Sequence, residues 1–450
     1  MTKKFSLPII LFLLSISIPA FGSILSVETD YRLRGISYSS TEIFATTSTN
    51  TSLSYYSQRL MISLRGNFDQ NIEIGSKLTS LGIVSTTNTV FLVPYPKTDF
   101  TPYVENAYVK FKNLGEKPVD LIIGKQSLCY GTGLIVCDNG TGFNTIRLTG
   151  HCDLALPFFK STILPINAEY FTAKVQETLN LSSDADVYGG LLKLEINKNL
   201  WEFGYFGEDD FSGTQYVRGS NIYNTKAIVK RFLDLRIGKK EDISEYQIEI
   251  AKQTGYVTRT DGVAINFDGM GYLFYGKLVN EKTRLGKVAA RALISYASGN
   301  DDPYSFSDDK SFSPTYTKRY DGMERGGYGM IFGASPVESF FNIPIGYSGI
   351  NTLNIGTDIS PIYNWTFCLD YFLFSASQAP KGSPEASGFE KFYGANFSLG
   401  SEVDLSLKFI HSKYSDIGFA YSIYSPPQAS AYWPNPKTVN SLRFEASARF

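Results

Sequence analysis

The sequence predicts an all-β fold, a single antiparallel barrel that crosses a membrane with about 18 strands in a range of roughly 16 to 20. Three observations carry this expectation. The chain opens with an export signal, it repeats a two-residue alternation along its length, and it closes on an amphipathic strand that ends at Phe450.

The export signal comes first. Lys3 and Lys4 form a short basic region, and Leu7 to Ile18 is almost wholly apolar. Ala20-Phe21-Gly22 then places small residues at the two positions a signal peptidase reads. About 12 apolar residues are too few for a membrane helix, which needs about 20. The expected division is a signal peptide over 1–22, cut after Gly22, and one barrel with long extracellular loops over 23–450. Removing Lys3 and Lys4 takes the formal net charge from −1 to −3, so neither a basic bias toward nucleic acid nor an acidic tail is present. Tyr (30) and Phe (33) are abundant while charged residues stay at 19%, the combination of aromatic girdles and a polar lumen. No later apolar run is long enough for a membrane helix, so a membrane form must cross with strands.

The last strand shows the pattern most clearly. Leu442, Phe444, Ala446, Ala448 and Phe450 share one side, and Ser441, Arg443, Glu445, Ser447 and Arg449 share the other. A final alternating strand that ends in Phe resembles the assembly signal of bacterial outer-membrane barrels. The same alternation sets Val27, Thr29, Tyr31 and Leu33 against Glu28, Asp30, Arg32 and Arg34. It also sets Leu60, Ile62 and Leu64 against Arg59, Ser63 and Arg65, and Val288, Ala290, Ala292 and Ile294 against Lys287 and Arg291. Leu192, Leu194 and Ile196 oppose Lys193 and Glu195, and Val403, Leu405, Leu407 and Phe409 oppose Asp404, Ser406 and Lys408. A helix would scatter these charges round its surface.

Short turns are expected at Asp69-Gln70-Asn71, Asn197-Lys198-Asn199 and Gly400-Ser401, and long connections at 83–101, 126–144, 207–221, 299–327, 378–388 and 415–438. Strand patterning starts directly after the signal, which leaves no room for a plug domain of about a hundred residues.

One stretch resembles a known family. Residues 104–148 read VENAYVKFKNLGEKPVDLIIGKQSLCYGTGLIVCDNGTGFNTIRL. The Ala107-Tyr108-Val109 strand, the hairpin, Gly124-Lys125-Gln126, Tyr130-Gly131-Thr132-Gly133, and then Phe143 and Arg147 look like the alginate export family of outer-membrane porins. Tyr296-Ala297-Ser298-Gly299-Asn300-Asp301-Asp302 before a long aromatic loop is a second match. The resemblance implies an 18-stranded barrel passing polysaccharide or other solutes by diffusion. The chain departs from the family at Leu134 and Ile135, where an Arg is usual, and at Phe143-Asn144, where Phe-Asp is usual. An arginine-rich anion lumen is therefore not expected.

Strand parity turns Arg32, Arg34, Arg59, Arg65, Lys193, Lys287, Arg291, Lys408, Arg443 and Arg449 inward, with Glu28, Asp30, Glu73, Glu195, Asp404 and Glu445. Opposed cations and carboxylates suit a hydrated pore, where they focus a field. Lys125, Tyr130 and Arg147 are the candidates for a constriction that binds an anionic or hydroxyl-rich solute.

Catalytic, metal and cofactor sites are not expected. His151 and His411 are the only histidines, and each neighbours its nearest candidate partner (Cys152, Ser412) on a strand, which points the two to opposite faces. Cys129 and Cys137 flank a turn and are close enough for a loop disulfide; free thiols are the alternative. Asp301-Asp302 and Asp308-Asp309 suggest Ca²⁺ or, with less to explain, a solvated acidic loop. The aromatic residues of 303–320 suggest a loop that folds into the barrel mouth. The expected function is passive passage of polar solutes, oligo- or polysaccharides among them, through a bacterial outer membrane. The expected partners are outer-membrane lipid, the solute, and the barrel-assembly machinery through Phe450. A structural or adhesive barrel sealed by its loops, and a barrel hydrolase, are the rivals.

Overall fold

The structure is a computed structural model that describes residues 24–40, 52–85, 99–156, 162–176, 184–218, 221–300, 308–318, 327–335, 337, 348–378, 398–427 and 437–450. The expected signal peptide and Asp301-Asp302 lie outside the described residues.

The first nine strands are β1 (Ile24–Tyr38), β2 (Leu53–Asn67), β3 (Ile72–Ser85), β4 (Tyr103–Phe111), β5 (Val119–Gln126), β6 (Phe143–Leu156), β7 (Thr162–Gln176), β8 (Ala185–Ile196) and β9 (Asn199–Asp210). A short β10 (Gln215–Arg218) pairs with the head of β11 (Asn221–Lys240). The rest are β12 (Ser244–Arg259), β13 (Ala264–Thr283), β14 (Gly286–Ala297), β15 (Ser348–Ile362), β16 (Trp365–Gln378), β17 (Ser398–Ser412), β18 (Ser415–Ser425) and β19 (Val439–Arg449). With β10 set aside, every strand pairs antiparallel with the next, and β9 pairs with β11. The wall closes where β1 meets β19, Asp30 opposite Arg449 and Tyr38 opposite Ser441. This is a closed 18-stranded antiparallel barrel. Closure leaves no open edge, so the wall's backbone groups are paired without water.

The two-residue period sorts the side chains, because a register fixed across the wall sends alternate residues to opposite faces. On β16, Phe372 and Phe374 are buried inside, while Leu369, Tyr371 and Leu373 are exposed outside. On β19, Ser441 and Ser447 are buried, while Leu442 is 60% exposed. Leu278 (68%) on β13 and Ile355 (61%) on β15 continue the outer apolar band. Among the described residues no helix is long and apolar enough to cross a membrane. The wall presents its apolar surface by strands.

One end of the barrel carries most of the tight turns, at Phe68–Asn71, Asn197–Lys198, Glu241–Ile243, Arg284–Leu285, Tyr363–Asn364 and Lys413–Tyr414, while the short turn 260–263 between β12 and β13 lies at the opposite end. The longer connections leave the other end. Three expected boundaries are corrected. Gly400-Ser401 lies inside β17, where Ser375 meets Ser398 across a register shift. A Cβ on Gly400 would stand 2.6 Å from the Ser425 carbonyl, and its φ is 111°, so this glycine serves a bulge and not a turn. The stretch 415–438 opens with β18, whose Ile417, Phe419, Tyr421 and Ile423 alternate outward; Pro426-Pro427 marks its end rather than a loop throughout. β9 likewise runs on to Asp210, past the expected break at 207.

Candidate functional site

Segments of the long connections lie inside the barrel. Residues 127–142 leave β5 and turn back on themselves. The backbone of Tyr130 donates to Val136 (3.0 Å), and Cys129 and Cys137 are joined in a disulfide. Leu134, Ile135 and Val136 are almost fully buried. They pack with Tyr130, Phe143, Phe171, Phe206, Phe232 and Phe312 into an apolar core within the lumen. A second inner core joins Ile331 and Phe332 of the 327–335 segment to Tyr38, Tyr55, Phe374, Leu399 and Tyr424 of the wall.

Three inner segments are pinned by carboxylates on the wall. Glu249 on β12 accepts from the Thr132 amide at 2.7 Å. Glu208 on β9 accepts from the Thr315 amide at 3.0 Å, and Lys230 on β11 donates to the Ser313 carbonyl at 2.5 Å. Glu402 on β17 accepts from the amides of Ile331 (2.6 Å) and Phe332 (2.9 Å), and Asp404 from that of Met330 (3.0 Å). The carboxyl oxygens give buried loop amides an acceptor, and Lys230 gives the Ser313 carbonyl a donor. Segments 127–142 and 308–318 are also tied to each other: Cys137 N donates to Tyr316 O at 2.6 Å and Lys318 N to Gly133 O at 2.7 Å. Asp138 closes the first segment, accepting from Ser127 Oγ (2.9 Å) and Gly142 N (3.0 Å). Burial pushes its carboxyl above the ordinary carboxylate range, against the pull of those two bonds.

The expected constriction residues part company. Arg147 on β6 faces the lumen and grips Glu169 on β7, Nε to Oε1 and Nη2 to Oε2 both at 2.8 Å. The Tyr130 hydroxyl donates to the same Glu169. The Tyr130 ring stacks on Phe171 at 5.1 Å and leans on Phe206 at 5.5 Å. Tyr130, Arg147 and Glu169 thus form one unit. Lys125 stands apart from it. It aligns with Ala107 and Asn144 on the outward side shared by Ile123 and Ile146, and its Nζ donates to the Val104 carbonyl at 2.8 Å. The register decides this: Lys125 lies opposite exposed Asn144, while Thr145 and Phe143 face in.

The remaining candidates sit on the inner side beside carboxylates. Arg34 meets Glu445 at 2.5 Å, Arg59 meets Asp30 at 3.3 Å, and Arg65 meets Glu73 at 3.8 Å. Lys287 meets Glu281 at 3.2 Å, and Arg291 lies between Asp358 (2.7 Å) and Asp370 (3.0 Å). Arg32 lies opposite Arg59 and Ser447 in the seam. Arg443 reaches the inner segment, Nη2 to Met330 O at 3.4 Å. Toward the tight-turn end the lumen opens into a polar cavity of about 440 Å³ lined by Asp120, Thr149, His151, Asn167, Glu169 and Lys193. Glu169 belongs to both the cavity and the Tyr130 unit. His151 bonds Asn167 at 2.9 Å, and His411 lies 3.2 Å from Ser415 rather than at Ser412. Asp308 and Asp309 hold protein donors: Asn266 Nδ2 on Asp308 (3.1 Å), and the Tyr216 hydroxyl and Ser311 amide on Asp309.

Glu169, Glu208, Glu249 and Glu402 escaped sequence reasoning. A signal existed for Glu249, which alternates with Ile248 and Ile250 on β12. The apolar triplets Leu134-Ile135-Val136 and Met330-Ile331-Phe332 likewise marked connections that seek a dry interior.

No protein-family model matches the chain, and no curated protein sequence does. Solved structures do. OccAB1 of Acinetobacter baumannii superposes with a TM-score of 0.54 at 10% identity, over 95% of this chain and 96% of its own. OpdQ of Pseudomonas aeruginosa gives 0.51 at 11%, over 95% and 98%. OccK2 (OpdF) of P. aeruginosa, solved in complex with glucuronate, gives 0.50 at 11%, again over 95% and 98%. At these identities the likeness establishes the barrel fold over nearly the whole chain.

Proposed function

We propose that this chain is an outer-membrane porin that lets polar solutes diffuse passively through its lumen. The observation that carries the reading is the sorting of the wall: apolar side chains outward, ion-paired polar ones inward, around an open polar cavity. A bilayer covers the outer band, and the inner charges replace part of a solute's hydration. The structural neighbours, outer-membrane porins by fold, support the same reading and the same location in a bacterial outer membrane. The constriction is assigned to Tyr130, Arg147 and Glu169, with the inward cations Arg32, Arg34, Arg59, Arg65, Lys287, Arg291 and Arg443 bracing the wall.

The finer assignment is an alginate-export-like passage of oligo- or polysaccharide. It rests on the 104–148 motif and on the mixed donors and acceptors of the cavity, which match hydroxyl-rich solutes. In the same reading, residues 1–22 are removed on export and Phe450 addresses the chain to the assembly machinery. Single-channel recording of the purified barrel in planar bilayers tests the function. Discrete open levels are expected, and a folded barrel without conductance would overturn the reading. The pinned inner segments favour the rival, a barrel sealed by its loops, and that same silent result would select it.

A further inference from the structure

The polar cavity at the tight-turn end is built on a regular grid. Cross-strand register places Asp120 (β5) beside Thr149 (β6), and Thr149 beside Glu169 (β7). Two residues nearer the turns, His151 (β6) stands beside Asn167 (β7), and Asn167 beside Lys193 (β8). The side chains therefore form two parallel rows on the inner wall, spaced about 5 Å between strands and about 7 Å along them. Paired strands hold this spacing more rigidly than a loop would. The cavity the rows line measures about 440 Å³, within the roughly 300–1,000 Å³ of small-molecule sites.

The state of these groups selects the ligand. Both carboxylates and the lysine already face an opposite charge: Lys110 stands 2.7 Å from Asp120, Arg147 2.8 Å from Glu169, and Glu202 3.3 Å from Lys193. A charged solute would have to take one of these partners and strand the other. The remaining capacity is neutral. Asn167 Oδ1 is engaged with His151 Nδ1 at 2.9 Å, while Asn167 Nδ2 and the Thr149 hydroxyl have no partner among the described residues. Lys193 keeps spare donors, and the carboxylates keep spare lone pairs. A hydroxyl donates and accepts at once, so it matches donors and acceptors set side by side. Among the described residues no aromatic ring lines the cavity, so the contact is by hydrogen bonds rather than by stacking.

We propose that the two rows are a binding subsite for a neutral polyhydroxylated solute, an uncharged sugar ring or polyol, on the tight-turn side of the Tyr130–Arg147–Glu169 unit. Glu169 belongs to both, so a ring that passes Tyr130 meets the rows next. This rests on the porin reading above and narrows its solute.

Saturation-transfer NMR on the detergent-folded full chain tests it with glucose, glucosamine and glucose 6-phosphate, which are neutral, cationic and anionic on one ring. The variant combines Thr149→Val with Asn167→Leu, which keep size and leave every ion pair in place. Heat-modifiable migration on a gel checks that it is folded; should it not be, Thr149→Val alone replaces it, with a loss of roughly threefold expected. The expected result is that glucose binds most tightly of the three and that the double variant weakens it roughly tenfold. No transfer to glucose, a preference for either charged probe, or a folded variant that binds glucose like the parent overturns the proposal. Single-channel recording on the same preparations separates the two readings. A barrel that conducts but fails these tests keeps the porin reading and loses the subsite, whereas glucose binding without conductance keeps the subsite and removes the porin reading.

Discussion

Arg147→Met is the sharpest perturbation of the proposed constriction. The substitution keeps most of the stem and removes the guanidinium. Glu169 then holds only the Tyr130 hydroxyl, with its side chain 8% exposed. Removing one partner of a buried ion pair costs about 3–5 kcal/mol. The Arg147 side chain is 26% exposed, so water partly replaces it and the lower end applies, about 3 kcal/mol. That corresponds to a change of roughly a hundredfold in the folding equilibrium. Urea unfolding from phospholipid vesicles, followed by tryptophan fluorescence, reads it directly. The double variant Arg147→Met, Glu169→Gln removes the stranded charge and is expected to recover more than half of the loss. The recording that accompanies it should show altered open-channel current, because Tyr130 loses its anchored partner. A single variant within about 0.5 kcal/mol of the parent, or a double variant whose losses simply add, would refute the reasoning.

Other positions test other parts of the structure. The Cys129–Cys137 disulfide closes a loop with a sequence separation of 8, worth about 2.5 kcal/mol to the inner segment by chain entropy; Cys129→Ser with Cys137→Ser should therefore increase open-channel noise while the barrel stays heat-modifiable. Leu405→Arg puts a charge on the outer wall in the middle of β17 and should lower stability by about 2–4 kcal/mol in the same vesicle unfolding assay. At Asp138 the folded segment binds a proton more tightly than the unfolded chain does. The segment is then firmest below the raised folded value and weakens as pH climbs through it, the reverse of ordinary acid unfolding. Amide-exchange protection of Gly142 should fall as pH rises above the ordinary carboxylate range, and Asp138→Asn should abolish that fall.

The outer face was legible residue by residue. Leu442, Phe444, Leu405 and Leu407 announced themselves by alternation alone, because a strand's two faces differ by one residue in sequence. The interior was legible only as a list of charges. Parity could point Arg34 inward but not at Glu445, 411 residues away. It could not separate Lys125 from Arg147, because the face of Lys125 depends on its register against Asn144. Gly400 read as a turn because glycine's permissive backbone serves bulges and turns alike. The loops hid most, since Leu134-Ile135-Val136 lies within a stretch whose glycines and aspartate mark a surface connection.

By itself the sequence determined the barrel: a period of two is a local property, and it is enough to build an apolar wall round a polar interior. Only the tertiary structure decided the barrel's inside. Closure of β1 on β19 set the ion pairs, and wall carboxylates such as Glu208, Glu249 and Glu402 found loop amides far away in the chain. Those contacts depend on which residues a closed wall brings face to face, and no local pattern encodes that.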